Sequence, residues 1–436
     1  MKSILKIIYI ATALVIVFAG CATNLTTYSR GEIYMKQGNY DKAINEFKQS
    51  LERNPNDPVT LSSAGVAYYA KGDYVQAITY LQQAKKADPK HIDAYVYLGM
   101  AYEQQGKYQE AMSEYDSCLA LQPDRAVAKK LERRQTFLSR EIAQDSAKKA
   151  LQNEIMLVSN VSKIPDNTVA VTDFTNVGQI KELDLLGKGL AAMLMTDLSK
   201  AKALTVVERM KLESLFNEMK LEGVDANTAS KPGMLLGAGK IVTGSFLSLN
   251  GKSIDIVSSL TMTKTKTSRP SKSVSGGVER LFELEKELAL GIIDDMGIVL
   301  TEAEKDAIIK KVPTKSFDAF MAYSRGLYYE DKGMYKEASQ EYEKAISIDP
   351  NFTEPKEGFR NVNDLMTETK NLSSMENLST EVALSSQQEL RIGEADANAT
   401  RGLISTPSSA VISPRGGGVS GLAPTVKTVE VEVIFP

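Results

Sequence analysis

The tripeptides Gly38-Asn39-Tyr40, Gly72-Asp73-Tyr74 and Gly106-Lys107-Tyr108 stand 34 residues apart, and reading outward from them decides the fold of the first part of the chain. Ala43, Ala77 and Ala111 share one register position, Phe47, Leu81 and Tyr115 a second, and Ser50, Ala84 and Cys118 a third, while Pro55, Pro89 and Pro123 close the units. A fixed period of this length marks a stacked repeat array. Each unit reads as a helical hairpin in which glycine ends the first helix and proline stops the second. Gly65 with Tyr68, and Gly99 with Tyr102, supply small and bulky positions in the first helices. A fourth copy lies far downstream, with Gly333, Tyr335, Ala338, Tyr342, Ala345 and Pro350 in the same spacing, and Tyr323-Ser324-Arg325-Gly326 repeats Tyr28-Ser29-Arg30-Gly31. A lone hairpin cannot bury its apolar face. The fourth is therefore expected to dock on the first three, on another domain or on another subunit.

These residues resemble tetratricopeptide (TPR) repeats, which places three repeats in 21–124 and a fourth, TPR-like hairpin in 316–352. The resemblance implies a concave face, lined by the first helix of each hairpin, that presents side chains to a partner protein. Counting along the repeat puts Tyr28, Glu32, Met35, Ser62, Val66, Tyr69, Val96, Met100 and Glu103 there. Aromatic and methionine side chains bring contact area and adaptable shape, which suits a binding groove. The plainer role, contact with the next repeat, stays open for some of them, Val66 and Val96 above all.

At the N-terminus Lys2 and Lys6 precede an apolar run, Ile7 to Ala19, of signal-peptide length and too short for a standard transmembrane helix. Phe18-Ala19-Gly20-Cys21 resembles the lipobox of bacterial lipoproteins. That implies a signal peptide over 1–20, a lipid on Cys21 and attachment to a membrane through it; the residues alone also allow a plain secretory signal or an anchor helix. Ala22 follows, not the Asp that resembles an inner-membrane retention mark, so an outer-membrane, periplasm-facing location is expected. Lys plus Arg total 52 against 55 Asp plus Glu, a net charge of -3, so no overall field gathers nucleic acid, and none is expected as a partner.

Residues 125–160 are charged, lack Gly and Pro, and carry Leu131, Phe137, Ile142, Ala147 and Leu151 at helical intervals, which predicts a capping and linking helix. Over 165–300 strands and helices alternate. Val169 to Phe174 reads as a buried strand, Leu185 to Leu198 as a helix, Leu204 to Val207 as a strand and Met210 to Leu221 as a helix. Lys240 to Leu249 and Ser253 to Thr265 read as strands joined at Asn250-Gly251, a two-residue hairpin signal, and Glu279 to Met296 as a closing helix. The fold class is thus α+β and multidomain: an all-α repeat solenoid plus an α/β domain with a mixed sheet, helices mainly covering one face. Val169-Ala170-Val171-Thr172-Asp173-Phe174, Leu186-Gly187-Lys188-Gly189-Leu190-Ala191, Leu204-Thr205-Val206-Val207-Glu208-Arg209, and Leu236-Gly237-Ala238 with Val242-Thr243-Gly244-Ser245-Phe246 resemble the periplasmic domain of curli-secretion lipoproteins (CsgG-like). The resemblance implies self-association, so a homo-oligomer is expected through this domain. Pore-forming members insert two long hairpins, whereas this sequence offers one short hairpin ending in Thr263-Lys264-Thr265-Lys266-Thr267, with no apolar face for lipid. From 367 to 436 Ser, Thr, Asn, Pro and Gly dominate, and a disordered tail is expected, with Val429 to Phe435 able to add as a strand to a sheet edge.

Catalytic material is thin. The only histidine, His91, falls in a loop and Cys118 in a small repeat position, and no Cys or His pair has metal spacing, so neither an enzyme nor a cofactor or metal is expected. Gly187-Lys188-Gly189 does not directly follow a strand, as a dinucleotide fingerprint must. Asp173, Glu208 and Arg209 lie at the ends of two strands on one sheet edge, where a ligand pocket is possible beside the plainer cap and ion pair. The reading favoured is a protein-binding scaffold in envelope assembly or secretion. Its alternatives are a subunit of an oligomeric outer-membrane secretion channel and a small-ligand sensor.

Overall fold

A computed structural model describes residues 27–368 except 222, 223 and 227, together with residue 375. Cys21 and its leader therefore lie outside the described residues, as do Val429 to Phe435 and nearly all of the predicted tail. The repeats form α1 (27–36), α2 (Tyr40–Arg53), α3 (Pro58–Lys71), α4 (Tyr74–Ala87), α5 (Ile92–Gln104) and α6 (Tyr108–Ala120). Asp57 and Asp73 cap α3 and α4 by accepting from the backbone N–H of Thr60 at 3.0 Å and Gln76 at 3.1 Å. Gly72 closes α3 at φ +87°, a left-handed turn that costs glycine nothing. The pairing of small and bulky positions is literal: a Cβ on Gly99 would sit 2.2 Å from the Tyr115 ring.

The linking segment is α7 (Arg125–Gln152) followed by α8 (Glu154–Ser159). Its first half closes the repeat core with Val127, Leu131 and Leu138, and its second half carries Ala147 into a cluster with Leu215, Met234 and Leu235. One helix thus belongs to two cores.

The α/β region runs β1 (Thr168–Asn176), α9 (Leu186–Leu198), β2 (Thr205–Val206), α10 (Arg209–Met219), α11 (Ser230–Leu236), β3 (Lys240–Leu247), β4 (Ser253–Met262), β5 (Thr267–Gly277) and α12 (Leu281–Asp295). The sheet order is β2-β1-β3-β4-β5; β1 is parallel to both neighbours, and β3, β4 and β5 are antiparallel. Val242, Phe246, Ile254, Ile256 and Leu260 form the buried row that α9 and α12 cover. On the opposite face α11 reaches Ile241, since a Cβ on Gly233 would lie 2.8 Å from its Cδ1. That face opens toward β4, where Val257 is 49% exposed.

Three readings need correction. The strand expected over Ser253 to Thr265 ends at Met262, and the Thr-Lys run belongs to a turn into β5, a second hairpin the sequence analysis missed. β5 is nearly all Ser, Thr, Lys, Arg and Gly with only Val274 buried, so it has no alternating apolar signal. The fourth hairpin, α14 (Phe317–Asp331) and α15 (Tyr335–Ile348), is preceded by α13 (Glu302–Ile309) and extended by α16 (Glu354–Thr367). At the end of α16 Glu368 is buried, and Met375 is wholly buried in the repeat core, so the expected tail does not begin at 367.

The fourth hairpin docks in cis. Ala319, Phe320, Met321 and Phe352 join the α/β core, and the Phe320 ring meets Phe282 edge-on at 5.3 Å. Ser324 and Phe320 close on Gly189 of α9, where a Cβ would lie 2.1 Å from Ser324 Oγ. On the other side α16 lies on α7, with Arg133 paired to Asp364 at 3.3 Å, and Arg140 of α7 stacks over Tyr335 of α15 at 5.1 Å.

Candidate functional site

The concave face is built by register. Stepping by 34, the rows are Tyr28, Ser62, Val96; Glu32, Val66, Met100; and Met35, Tyr69, Glu103, and one further step reaches Lys130, Arg134 and Phe137 on α7. Tyr28, Glu32, Met35 and Val66 are half-buried, at the accessible end of the face. Ser62, Tyr69, Val96, Met100 and Glu103 are buried, which corrects the expectation that all nine are free to meet a partner. The reason is that α7 supplies a fourth first-helix: Val96 and Met100 share a cluster with Leu131 and Leu138 of α7 and with Met375.

Glu103 is held still more firmly. Arg134, 1% exposed, donates Nε to both Glu103 carboxylate oxygens at 3.0 Å and Nη2 to Oε2 at 2.5 Å, and Tyr115 donates its hydroxyl to Oε1 at 2.7 Å. Arg134 Nη1 turns the other way, to Glu368 Oε2 at 3.4 Å. At the accessible end the Tyr28 hydroxyl bonds Ser63 at 3.3 Å and is pushed up to about 12 by burial and by Glu32. Burial and Glu32 also push Asp93 up to about 6, and its Oδ1 has no hydrogen-bond partner. Cys118, buried in its repeat, has its thiol raised to about 12 chiefly by burial, which leaves it no thiolate at neutral pH.

The residues expected at the sheet edge divide. Glu208 faces solvent and pairs only with Lys211 at 3.3 Å. Asp173 and Arg209 enter one charge network through residues the sequence analysis did not single out. Lys188 Nζ of α9, buried, lies 2.7 Å from Asp173, 3.2 Å from Glu213 and 2.7 Å from Asp331 at the end of α14. Arg209 pairs with Asp331 and, at 3.2 Å, with Glu330. Burial works to lower the Lys188 ammonium, but Asp331, Asp173 and Glu213 outweigh it and hold its pKa above the ordinary value. Burial and Asp331 raise Glu213 to about 7 against the pull of Lys188. Where a ligand carboxylate would sit on this edge, the structure places Asp331 of the fourth hairpin.

The two sites share a design. Glu330 accepts from the Tyr342 hydroxyl at 2.5 Å, as Glu103 does from Tyr115, and each acid stands twelve residues before its tyrosine. An arginine from the next element closes each: Arg134 from α7 and Arg209 from α10.

Comparison with known proteins agrees with both parts. Residues 28–92, 68–134 and 321–352 match models of the tetratricopeptide repeat, and residues 151–253 match the model of the curli production assembly/transport component CsgG. The chain combines TPR repeats with a CsgG-like domain. The CsgG match ends at the start of β4, so β5 and α12 extend the sheet beyond it. No curated protein matches the chain. Among solved structures, the TPR domain of Sgt2 from Aspergillus fumigatus is 28% identical over 27% of this chain and 78% of its own, with a TM-score of 0.25. A tetratricopeptide repeat protein from Parabacteroides merdae is 14% identical over 78% of this chain and 99% of its own, with a TM-score of 0.26. The TPR match running to 134 takes in Arg134, which a fourth step of 34 from Glu32 also finds. Asp331 carried no comparable signal, because its importance lies in a contact across 143 residues.

Proposed function

We propose that this chain is a lipoprotein anchored by Cys21 in the outer membrane, facing the periplasm, whose TPR groove holds protein partners of envelope assembly or secretion while its CsgG-like domain self-associates. The observation that carries the reading is the pairing of a TPR face, accessible at Tyr28, Glu32, Met35 and Val66, with a CsgG-like sheet in one folded body. Val177, Leu249 and Val257, 61%, 78% and 49% exposed, offer apolar surface at the sheet for a second copy. No catalytic step enters this function. The channel alternative asks for strands with an apolar row toward lipid. Along β5 one row is Thr267, Arg269, Ser271, Ser273 and Ser275 and the other Ser268, Pro270, Lys272, Val274 and Gly276, so β5 favours the scaffold.

The test is made in cells. A photo-crosslinking residue at Glu32 should give a discrete adduct with a partner, while the same residue at Val75, 65% exposed on α4, should not. Cys21→Ala should move the protein from the membrane to the soluble fraction. Equal adducts at both positions would end the groove reading, and unchanged membrane association of Cys21→Ala would end the lipid-anchor reading.

A further inference from the structure

The groove narrows to an acid-binding end at Arg134, which has two carboxylates on it. One, Glu103, comes from the repeat stack and is also bonded by Tyr115. The other, Glu368, comes from the C-cap of α16, after the last hairpin, and is itself 6% exposed. Seven residues later Met375 is 0% exposed and lies in the cluster that contains the groove residues Tyr69, Val96 and Met100. An ion pair between buried groups persists only where each charge has a partner and the surroundings exclude water. A methionine in the repeat core, far along the chain from every repeat, is held there by apolar contact. The chain treats its fourth hairpin the same way: the helix α9 closes on α14 at Gly189, and Arg209 holds Glu330 beneath it.

We infer that the segment from Glu368 to Met375 is a resident ligand of the TPR groove, and that the groove's partners are segments bearing a carboxylate and, seven residues on, a long unbranched apolar side chain, which must displace it. This rests on the groove reading above and adds what the groove recognises and what guards it. Arg134 supplies the acid end: Glu103 uses its Nε and Nη2 and leaves Nη1 for the incoming carboxylate. Val96, Met100 and Leu138 supply the apolar end. The four half-buried residues Tyr28, Glu32, Met35 and Val66 lie at the other end of the rows, where a partner can first engage.

The probe is a fluorescent synthetic peptide with the sequence of residues 366–380, titrated against the full chain in detergent and against the full chain carrying Glu368→Gln and Met375→Asp. Arg134 keeps Glu103 in that variant. The altered chain should bind the peptide at least about tenfold more tightly than the unmodified chain, and a peptide with Met375→Ala should lose that gain. Equal binding to both chains overturns the inference and leaves the groove as a peptide site. Absence of binding to an altered chain whose circular dichroism and Tm match the original overturns it too, while crosslinking at Glu32 still decides whether the groove has partners. Hydrogen exchange on the unmodified chain gives a reading free of any variant. Protection at the Met375 amide is expected, and exchange there at the rate of the free peptide overturns the inference.

Discussion

Arg134 and Lys188 hold the molecule together at two points where burial makes a charge costly unless it is fully partnered. Removing Glu103 would leave the Arg134 guanidinium in the repeat core with one distant carboxylate. Glu103→Ala should therefore destabilise the chain by about 3 kcal/mol or more in denaturant titration, whereas Glu208→Ala, which loses only the exposed contact to Lys211, should leave the midpoint where it is. Glu213 makes a pH-dependent prediction. Its pKa rises from the ordinary 4.5 to about 7 in the folded chain, which holds this proton more tightly than the unfolded one. The contribution to stability is fully present below 4.5 and is lost as pH rises through 7. Stability should fall by about 1 kcal/mol more between pH 6 and pH 8 in the original chain than in Glu213→Gln, measured by urea unfolding. An equal fall in both would show that Glu213 does not titrate in that window. Of these residues only Glu103 was legible in the sequence, from its place in the repeat; Lys188 stood in a Gly-Lys-Gly run that resembled something else. Its function follows from three carboxylates drawn from β1, α10 and α14, which no local pattern connects.

At the scale of elements, the helix α9 carries the interface. Gly187 lets it approach β1 so closely that a Cβ would lie 1.7 Å from the Phe174 carbonyl oxygen, and Gly189, two residues on, receives Ser324 and Phe320. Gly189→Leu should lift α14 from α9 while leaving β1 to β5 paired. The expected sign is fast hydrogen exchange over α14 to α16, with β3 and β4 still protected, and protection unchanged in α14 would remove Gly189 from this role. The elements that sequence reading found, the repeat helices, α7, β1, β3 and α9, all have strong periodic or apolar signals. Those it missed are β5, polar because one face and one edge meet water, and α13 and α16, short helices whose burial depends on what they land on. Helix α13 did carry a legible start, the capping box of Thr301 and Glu304.

At the scale of the molecule, α7 joins what the sequence presented as separate domains. Its first half completes the TPR stack, its second half supports α10 and α11, and α16 returns along it from the far end of the chain. Ala143 lies midway and is 2% exposed. Ala143→Pro, costing about 3 kcal/mol in a helix interior, should split a single calorimetric transition into two, one for the repeats and one for the CsgG-like domain; a single transition, merely lowered, would show that the two cores are coupled elsewhere. The sequence by itself determined the repeat register, the α/β character of the middle and the residues of the concave face, because a period of 34 and runs of apolar residues are local properties that burial imposes wherever the chain folds. The tertiary structure decided which of those groove residues remain open, where the fourth hairpin docks and which charges are shared. Those outcomes depend on pairs such as Lys188 with Asp331 and Arg134 with Glu368, separated by 143 and 234 residues, whose attraction acts only after the core has brought them together and excluded water.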